Sequence, residues 1–224
     1  MISIIIPALN EEKTIETLLV SLNSLEGEKE IIVVDGGSCD KTVDKASKYA
    51  RVIHSQRGRA NQMNEGAKAA LGDILWFVHS DSKIDKRSLG AIEKAIDNRY
   101  LGGGFSLEFY DYDTLFMRLI AKGSNLRAKF LGLIFGDQGI FIRRDVFFQI
   151  GGYPNIELME DWQLSKRLHK AGRVKVLSIP IGTSGRRFKS GGQLKTLLLM
   201  QKIKLLYILG VCPAKLREIY REAR

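Results

Sequence analysis

Four times in the first hundred residues, a short run of apolar, largely β-branched side chains gives way to a stretch with helically spaced apolar positions. Ile2–Ile6 precedes residues 10–25, where Ile15, Leu18, Leu19 and Leu22 recur at helical intervals. Ile31–Val34 precedes Lys41–Tyr49, Arg51–His54 precedes Ala60–Leu71, and Ile74–Val78 precedes Arg87–Asn98. Strands alternating with helices predict βαβ units and a mainly parallel sheet. Right-handed crossovers then bring the strand ends Pro7, Asp35 and His79–Asp81 to one edge. Ligands bind beyond such edges in open α/β sheets.

After Tyr100 the pattern changes. Gly102–Phe109 reads as a strand, and Leu115–Phe135 as a helical region interrupted around Gly123-Ser124-Asn125. Gly139–Ile142 is a short strand, Asp145–Ile150 a short helix, Glu160–Ala171 a helix stopped by Gly172, and Val174–Ile179 a last strand. No internal repeat or low-complexity segment interrupts this order. The clear boundary falls near Pro180–Gly192, dividing a body of residues 1–182 from an extension of residues 183–224.

Charge marks the same boundary. The chain of 224 residues carries a net +10, and from Thr183 onward ten basic residues face only two acids, Glu218 and Glu222. A basic tail on a nearly neutral body seeks anionic partners. Cys39 and Cys212 form neither a disulfide framework nor a metal knuckle, which points to a reducing, cytosolic setting. Ser3–Ile6 is too short for a signal-peptide core, and no stretch has the length of a membrane span.

Three segments concentrate the polar chemistry. Pro7-Ala8-Leu9-Asn10-Glu11-Glu12 joins a buried strand to a helix; Asn10 is expected as its N-cap, in a turn whose backbone can grip a nucleotide. Asp35, at a strand end, is followed by Gly36-Gly37-Ser38, which permits close approach of a base or ribose, while Asp40 caps the next helix. The run Ile74-Leu75-Trp76-Phe77-Val78 ends in His79-Ser80-Asp81-Ser82, a polar tip around one carboxylate.

In this order, these stretches resemble the opening of family 2 glycosyltransferases, which have the GT-A fold. Gln56-Arg57-Gly58-Arg59-Ala60-Asn61-Gln62-Met63-Asn64-Glu65-Gly66 is similar to that family's basic loop and helix. Gly151-Gly152-Tyr153 with Met159-Glu160-Asp161-Trp162 is similar to its acceptor-side segment. The resemblance covers roughly residues 1–180. It implies a Rossmann-like, mainly parallel sheet flanked by helices, followed here by a basic amphipathic tail. It also implies a nucleotide-diphosphate sugar donor held by Pro7, Ala8, Asn10, Glu11, Glu12, Asp35, Gly36, Gly37, Arg57, Arg59, Asn64 and Ser80. By the same resemblance Asp81 holds Mg²⁺ or Mn²⁺ beside the diphosphate. Asp161, with Glu160, serves as the base that deprotonates an acceptor hydroxyl for inverting attack. First-turn acids also complement a helix dipole without catalysis.

His79 departs from the Asp-x-Asp that many members carry, and imidazole suits Mn²⁺ better than Mg²⁺. It reads first as a strand-end residue. The glutamine-arginine-tryptophan motif of processive synthases is missing, which argues against a polymerase. Asp137 and Gln138 read equally as acceptor-pocket residues or as a polar turn. His54 and His169 have no evident partner, and Trp162 is either core or an acceptor platform.

Gly192–Val211 is rich in leucine, with Lys195 and Lys202 on one helical side and Lys204 almost opposite. It reads either as an interfacial helix on an anionic membrane, suiting a lipid-linked acceptor, or as a helix packed on the body or on a second copy. Gly210 and Pro213 end it, and residues 214–224 form a short basic helix. Two other function classes fit less well. A nucleotidyltransferase would open with a glycine-rich basic phosphate loop, where this chain has Pro7-Ala8-Leu9-Asn10. A nucleic-acid adaptor would have no use for acids at the strand ends, so no nucleic-acid partner is expected.

Overall fold

The computed structural model describes residues 1–222. The first half is built as the alternation predicts: β1 (Ile2–Ala8), α1 (Ile15–Asn23), β2 (Lys29–Asp35), α2 (Thr42–Ala46), β3 (Arg51–His54), α3 (Arg59–Ala69), β4 (Ile74–Phe77), β5 (Lys83–Ile84) and α4 (Ser88–Asp97). The second half comprises β6 (Gly102–Phe109), α5 (Leu115–Leu131), a 3-10 turn (Gly136–Gln138), β7 (Phe141–Arg143), α6 (Arg144–Gln149), α7 (Glu160–Ala171), β8 (Val174–Thr183), α8 (Arg186–Gly191), α9 (Gln193–Ile208) and α10 (Pro213–Glu222).

All the described strands join one sheet in the order β3-β2-β1-β4-β7-β6-β8-β5. β1, β2, β3 and β4 run parallel, so their carboxyl ends share one edge, as expected. β7 lies antiparallel between β4 and β6, while β6 and β8 are again parallel. One apolar core lies on each face. Ile4, Trp76 and Phe105 belong to one, and Ile5, Phe77 and Phe147 to the other. Strands covered on both faces need continuous apolar runs, which is why β1 and β4 do not alternate. α3 rests directly on β1 and β2 at Gly66, where a Cβ would fall 2.4 Å from Ile5 Cγ2.

Two expectations are corrected. α5 is continuous through Gly123, because the roughly 1 kcal/mol cost of a helical glycine is small beside its tertiary anchors. Asn125 supplies one, bonding both the N–H and the carbonyl of Leu107 on β6. β8 runs past Pro180 to Thr183, because a bulge opposite Phe105 and Ser106 absorbs the missing proline donor.

The tail packs on the body. Ile203 of α9 and Leu216 of α10 are buried with Met159 in a small third cluster, with Trp162 and Tyr207 at its margin. Leu194, Leu198, Leu205 and Ile208 remain exposed on α9, as do Leu119, Leu126 and Phe130 on α5. No helix among the described residues is long and apolar enough to cross a membrane.

Candidate active site

The loops after β1 and β2 are tied to each other before any ligand is considered. Asn10 adopts a left-handed conformation at φ 55°; its N–H donates to Ser38 Oγ (2.9 Å) and its Oδ1 accepts from the Cys39 N–H (2.9 Å). Asn10 is therefore not the N-cap of α1, which starts five residues later at Ile15. The Glu11 N–H donates to Thr42 Oγ1 (2.8 Å), the Glu12 N–H donates to Asp40 (3.2 Å), and the Glu12 carboxylate accepts from the Lys41 N–H (3.2 Å). Asp40 also accepts from the Thr42 N–H (2.9 Å), but it stands one residue before Lys41, the N-cap of α2, and so is not the cap expected of it.

Asp35 is only 2% exposed. Its carboxylate accepts from the N–H groups of Gly37 (2.9 Å) and Ser38 (3.1 Å), and His54 Nδ1 lies 3.4 Å away. Burial opposes the charge, but these donors win and hold its pKa below the usual carboxylate value. Asp35 thus shapes the turn from beneath, and His54 has a partner that sequence reading missed. Gln62 braces the same place, its amide donating to the carbonyls of Ala8 and Val34 at 2.8 Å each. A Cβ on Gly36 would sit 3.0 Å from that amide, a tight contact that the glycine avoids.

Beyond the sheet edge a cleft of about 1710 Å³ contains Pro7, Ala8, Glu11, Arg57, Arg59, Ser80 and Asp81 together with Asp137 and Asp161. Single-ligand pockets span about 300–1,000 Å³, so this one has room for two substrates. Asp81 pairs with Arg186 at 3.2 Å, and the same guanidinium nitrogen lies 3.7 Å from Glu11. Arg186 comes from the start of α8. Its adjacency to a strand end was the only sequence signal for it.

The acceptor-side acids separate. Asp161 Oδ2 accepts from the Gly136 N–H at 2.9 Å and faces the cleft. Glu160, one residue earlier, is 3% exposed and paired with Arg59 at 3.2 Å. Burial pushes its pKa up, with Arg59 opposing and Asp161 reinforcing the shift. Glu160 therefore anchors Arg59, and of the two acids expected to share the base only Asp161 lines the cleft. Asn64 is corrected as well. Its side chain accepts from the Tyr153 N–H (3.0 Å) and donates to the Tyr153 carbonyl (2.8 Å), clamping the Gly152-Tyr153 turn to α3 away from the cleft.

His79 lies against Gly136, where a Cβ would fall 2.8 Å from its Nε2 and 3.6 Å from Asp161 Oδ2. Its Nε2 is buried without a hydrogen-bond partner among the described residues. Burial, then the charges of Arg59 and Arg187, lower its pKa to about 3, so the ring is neutral. His79 is thus part of the floor between Asp81 and Asp161 and more than a strand-end residue.

The polar turn divides too. Gln138 is fully buried, its amide donating to the Phe105 carbonyl (3.2 Å) and its oxygen accepting from Arg127 (2.9 Å). Asp137 lines the cleft, and burial raises its pKa. Trp162 packs between Phe135 and Tyr207 and also lines the cleft. Arg127 and Lys204 face the same space and were not anticipated. The position of Lys204 opposite the other lysines of α9 was the available hint.

Similarities to other proteins agree with this arrangement. The chain is 30% identical over 185 residues to a PGL/p-HBAD biosynthesis glycosyltransferase of Mycobacterium tuberculosis, covering 75% of this chain and 69% of that protein. It is 25% identical over 198 residues to the probable glycosyltransferase YdaM of Bacillus subtilis, covering 76% of this chain but only 47% of that protein's length. Its fold matches a solved glucosyl-3-phosphoglycerate synthase of M. tuberculosis, bound to Mn²⁺, UDP and glucosyl-3-phosphoglycerate, with a TM-score of 0.64. That match has 21% identity and covers 88% of this chain and 78% of the other. The family model for glycosyl transferase family 2 matches residues 3–151. With the sheet, the nucleotide-type turns and the paired acids in one cleft, the chain belongs to glycosyl transferase family 2 and has the GT-A fold.

Proposed function

We propose that this chain transfers a sugar from a nucleotide-diphosphate donor to an acceptor hydroxyl with inversion, one sugar at a time. The observation that carries the reading is that Asp81 and Asp161 enter one cleft from separate elements. The turns after β1 and β2 take the nucleotide, with Pro7, Ala8 and Glu11 at the cleft wall and Asp35, Gly36 and Gly37 setting the loop shape. Arg57 and Arg59 border the diphosphate end. Asp161 accepts the acceptor's proton, and the Gly136 N–H fixes the orientation of its carboxylate. The neutral ring of His79 adds no charge between the two acids.

Asp81 is the residue to hold Mg²⁺ or Mn²⁺, with Glu11 sharing its Arg186 contact. The residues fit such an ion: both carboxylates already flank one cationic nitrogen of Arg186, and a metal bound through one or two carboxylates takes its remaining oxygens from substrate phosphates. When bound, the metal supplies charge neutralisation of the diphosphate leaving group. The glucosyl-3-phosphoglycerate synthase solved with Mn²⁺ and UDP supports this donor chemistry.

The acceptor is lipid-linked in this reading, and the protein works at the inner face of an anionic membrane. Exposed leucines on α5 and α9 beside Lys195 and Lys202 support that placement. Stabilisation of the chain by a panel of nucleotide sugars, with and without Mn²⁺, tests the donor assignment. One donor should raise the melting temperature more with metal than without, and NMR of the product should show an inverted anomeric centre. No response to any donor, or a retained configuration, refutes the reading.

A further inference from the structure

Two cations of the cleft, Arg127 and Lys204, combine partial burial with the lack of a carboxylate at ion-pair distance among the described residues, whereas the unpaired Arg57 and Lys202 are exposed. Arg59 is paired with Glu160, and Arg186 with Asp81 and Glu11. Arg127 and Lys204 make no ion pair with a carboxylate among the described residues. They come from different helices, α5 and α9, yet stand over one ring. The Arg127 guanidinium carbon is 3.8 Å from the Phe135 centroid, and Lys204 Nζ is 5.1 Å from it.

Both are largely withdrawn from water. Burial lowers the pKa of each, that of Lys204 to about 8, with the neighbouring Arg127 as the second cause. Asp137 and Asp161 act on them only through space, and Asp161 is already engaged by the Gly136 N–H. Arg127 is held in place by bonds from Nε to the Leu133 carbonyl (3.1 Å) and from one Nη to Gln138 Oε1 (2.9 Å). Its other Nη has no hydrogen bond among the described residues. With Asp137 and Asp161 acting only through space and no carboxylate of the described residues at ion-pair distance, Lys204 Nζ and the free Nη of Arg127 are left as charged donors that a bridging anion can take.

We propose that Arg127 and Lys204 form an anion subsite that seats a phosphate group of the acceptor. This assignment rests on the glycosyl-transfer reading for its placement on the acceptor side, beside Asp161. A fixed guanidinium fork with an ammonium at its flank is suited to phosphate oxygens. The cleft continues between Leu119 and Ile120 of α5 and Leu197 and Leu198 of α9, so the phosphate's substituent has an apolar wall on either side. That chemistry belongs to a lipid phosphate; a small soluble phosphate would use the same two cations and leave the walls uncovered.

Calorimetric titration of the full chain with farnesyl phosphate, farnesol and glycerol 3-phosphate tests this, with UDP and Mn²⁺ titrated in parallel. Farnesyl phosphate should bind at least about tenfold more tightly than farnesol, the size of one charge-assisted hydrogen bond. Lys204→Met should remove that advantage, Lys204→Arg should keep most of it, and UDP affinity should be the same in all three proteins. Glycerol 3-phosphate binding as tightly as farnesyl phosphate upholds the subsite and assigns it to a soluble acceptor. Equal binding of farnesyl phosphate and farnesol, or full binding by Lys204→Met, overturns the subsite. A wild-type chain that binds phosphate but no nucleotide overturns the donor reading instead and leaves the anion subsite standing.

Discussion

Arg186 reaches from the start of α8 to within 3.2 Å of Asp81, so the carboxylate proposed for the metal is already occupied by an internal cation. A metal ion entering with the donor has to displace that guanidinium. Arg186→Ala should therefore tighten Mn²⁺ binding to the nucleotide-free protein. It should also slow transfer about tenfold, because the released guanidinium is then missing from the diphosphate. Mn²⁺ titration with and without UDP, followed by steady-state kinetics, checks both halves. Unchanged metal affinity would show that the ion pair does not compete.

Asp161→Asn keeps an oxygen that can accept from the Gly136 N–H but removes the base. The turnover number should fall by roughly 10²–10⁴, the usual contribution of general-base catalysis, with nucleotide affinity unchanged. Full activity in this variant would remove Asp161 from the mechanism.

Glu160 carries a pH prediction. Burial raises its pKa above the ordinary 4.5, and Arg59 is what opposes the rise. In Arg59→Met the carboxyl should stay protonated to higher pH. An acid with a raised folded pKa stabilises fully below its unfolded value, and that stability is lost as pH rises through the folded one. The variant should match the wild type near pH 4 and fall about 2 kcal/mol below it at pH 8, a breaking-of-pair cost reduced because Arg59 is partly exposed. Thermal melts across that range decide it.

Lys204 gives the opposite sign. Its folded pKa, about 8, lies below the ordinary 10.5, so ligand-free protein pays for its charge at neutral pH. Lys204→Met should raise the melting temperature by a few degrees, about 2–4 °C per kcal/mol. The gain should be constant below pH 8 and fade as pH rises from 8 towards 10.5.

Asn64→Ala removes two hydrogen bonds to the Tyr153 backbone. At about 1 kcal/mol each, stability should drop by ~2 kcal/mol with UDP affinity intact. A variant that keeps its stability but loses nucleotide would return Asn64 to the donor site.

The sheet-edge side of the cleft was legible because it depends on short local signals. The apolar runs of β1, β2 and β4, each ending in a polar turn, determine both the sheet and its edge. Asp81 stands just beyond such a run, past the end of β4, whereas Asp161 was picked out by the resemblance of its segment and lies in the first turn of α7. Roles that depend on which way a side chain turns were not legible. Asn64 sits within a nucleotide-type helix yet faces Tyr153, and Glu160 differs from Asp161 only by one step around α7. Arg186, Arg127 and Lys204 converge from segments widely separated in the chain, and no local pattern records that convergence. Gly123 and Pro180 misled because tertiary anchors and a bulge override local propensity.

The seam beneath α9 and α10, where Met159, Ile203 and Leu216 meet, is thin beside the two cores that clamp the sheet. One side of the cleft is thus built into the chain's rigid frame, and the other is attached by a handful of side chains. Substitutions on the attached side can reshape the cleft without disturbing the sheet edge that carries Asp81. Such a seam lets one wall of the cleft change shape at little risk to folding.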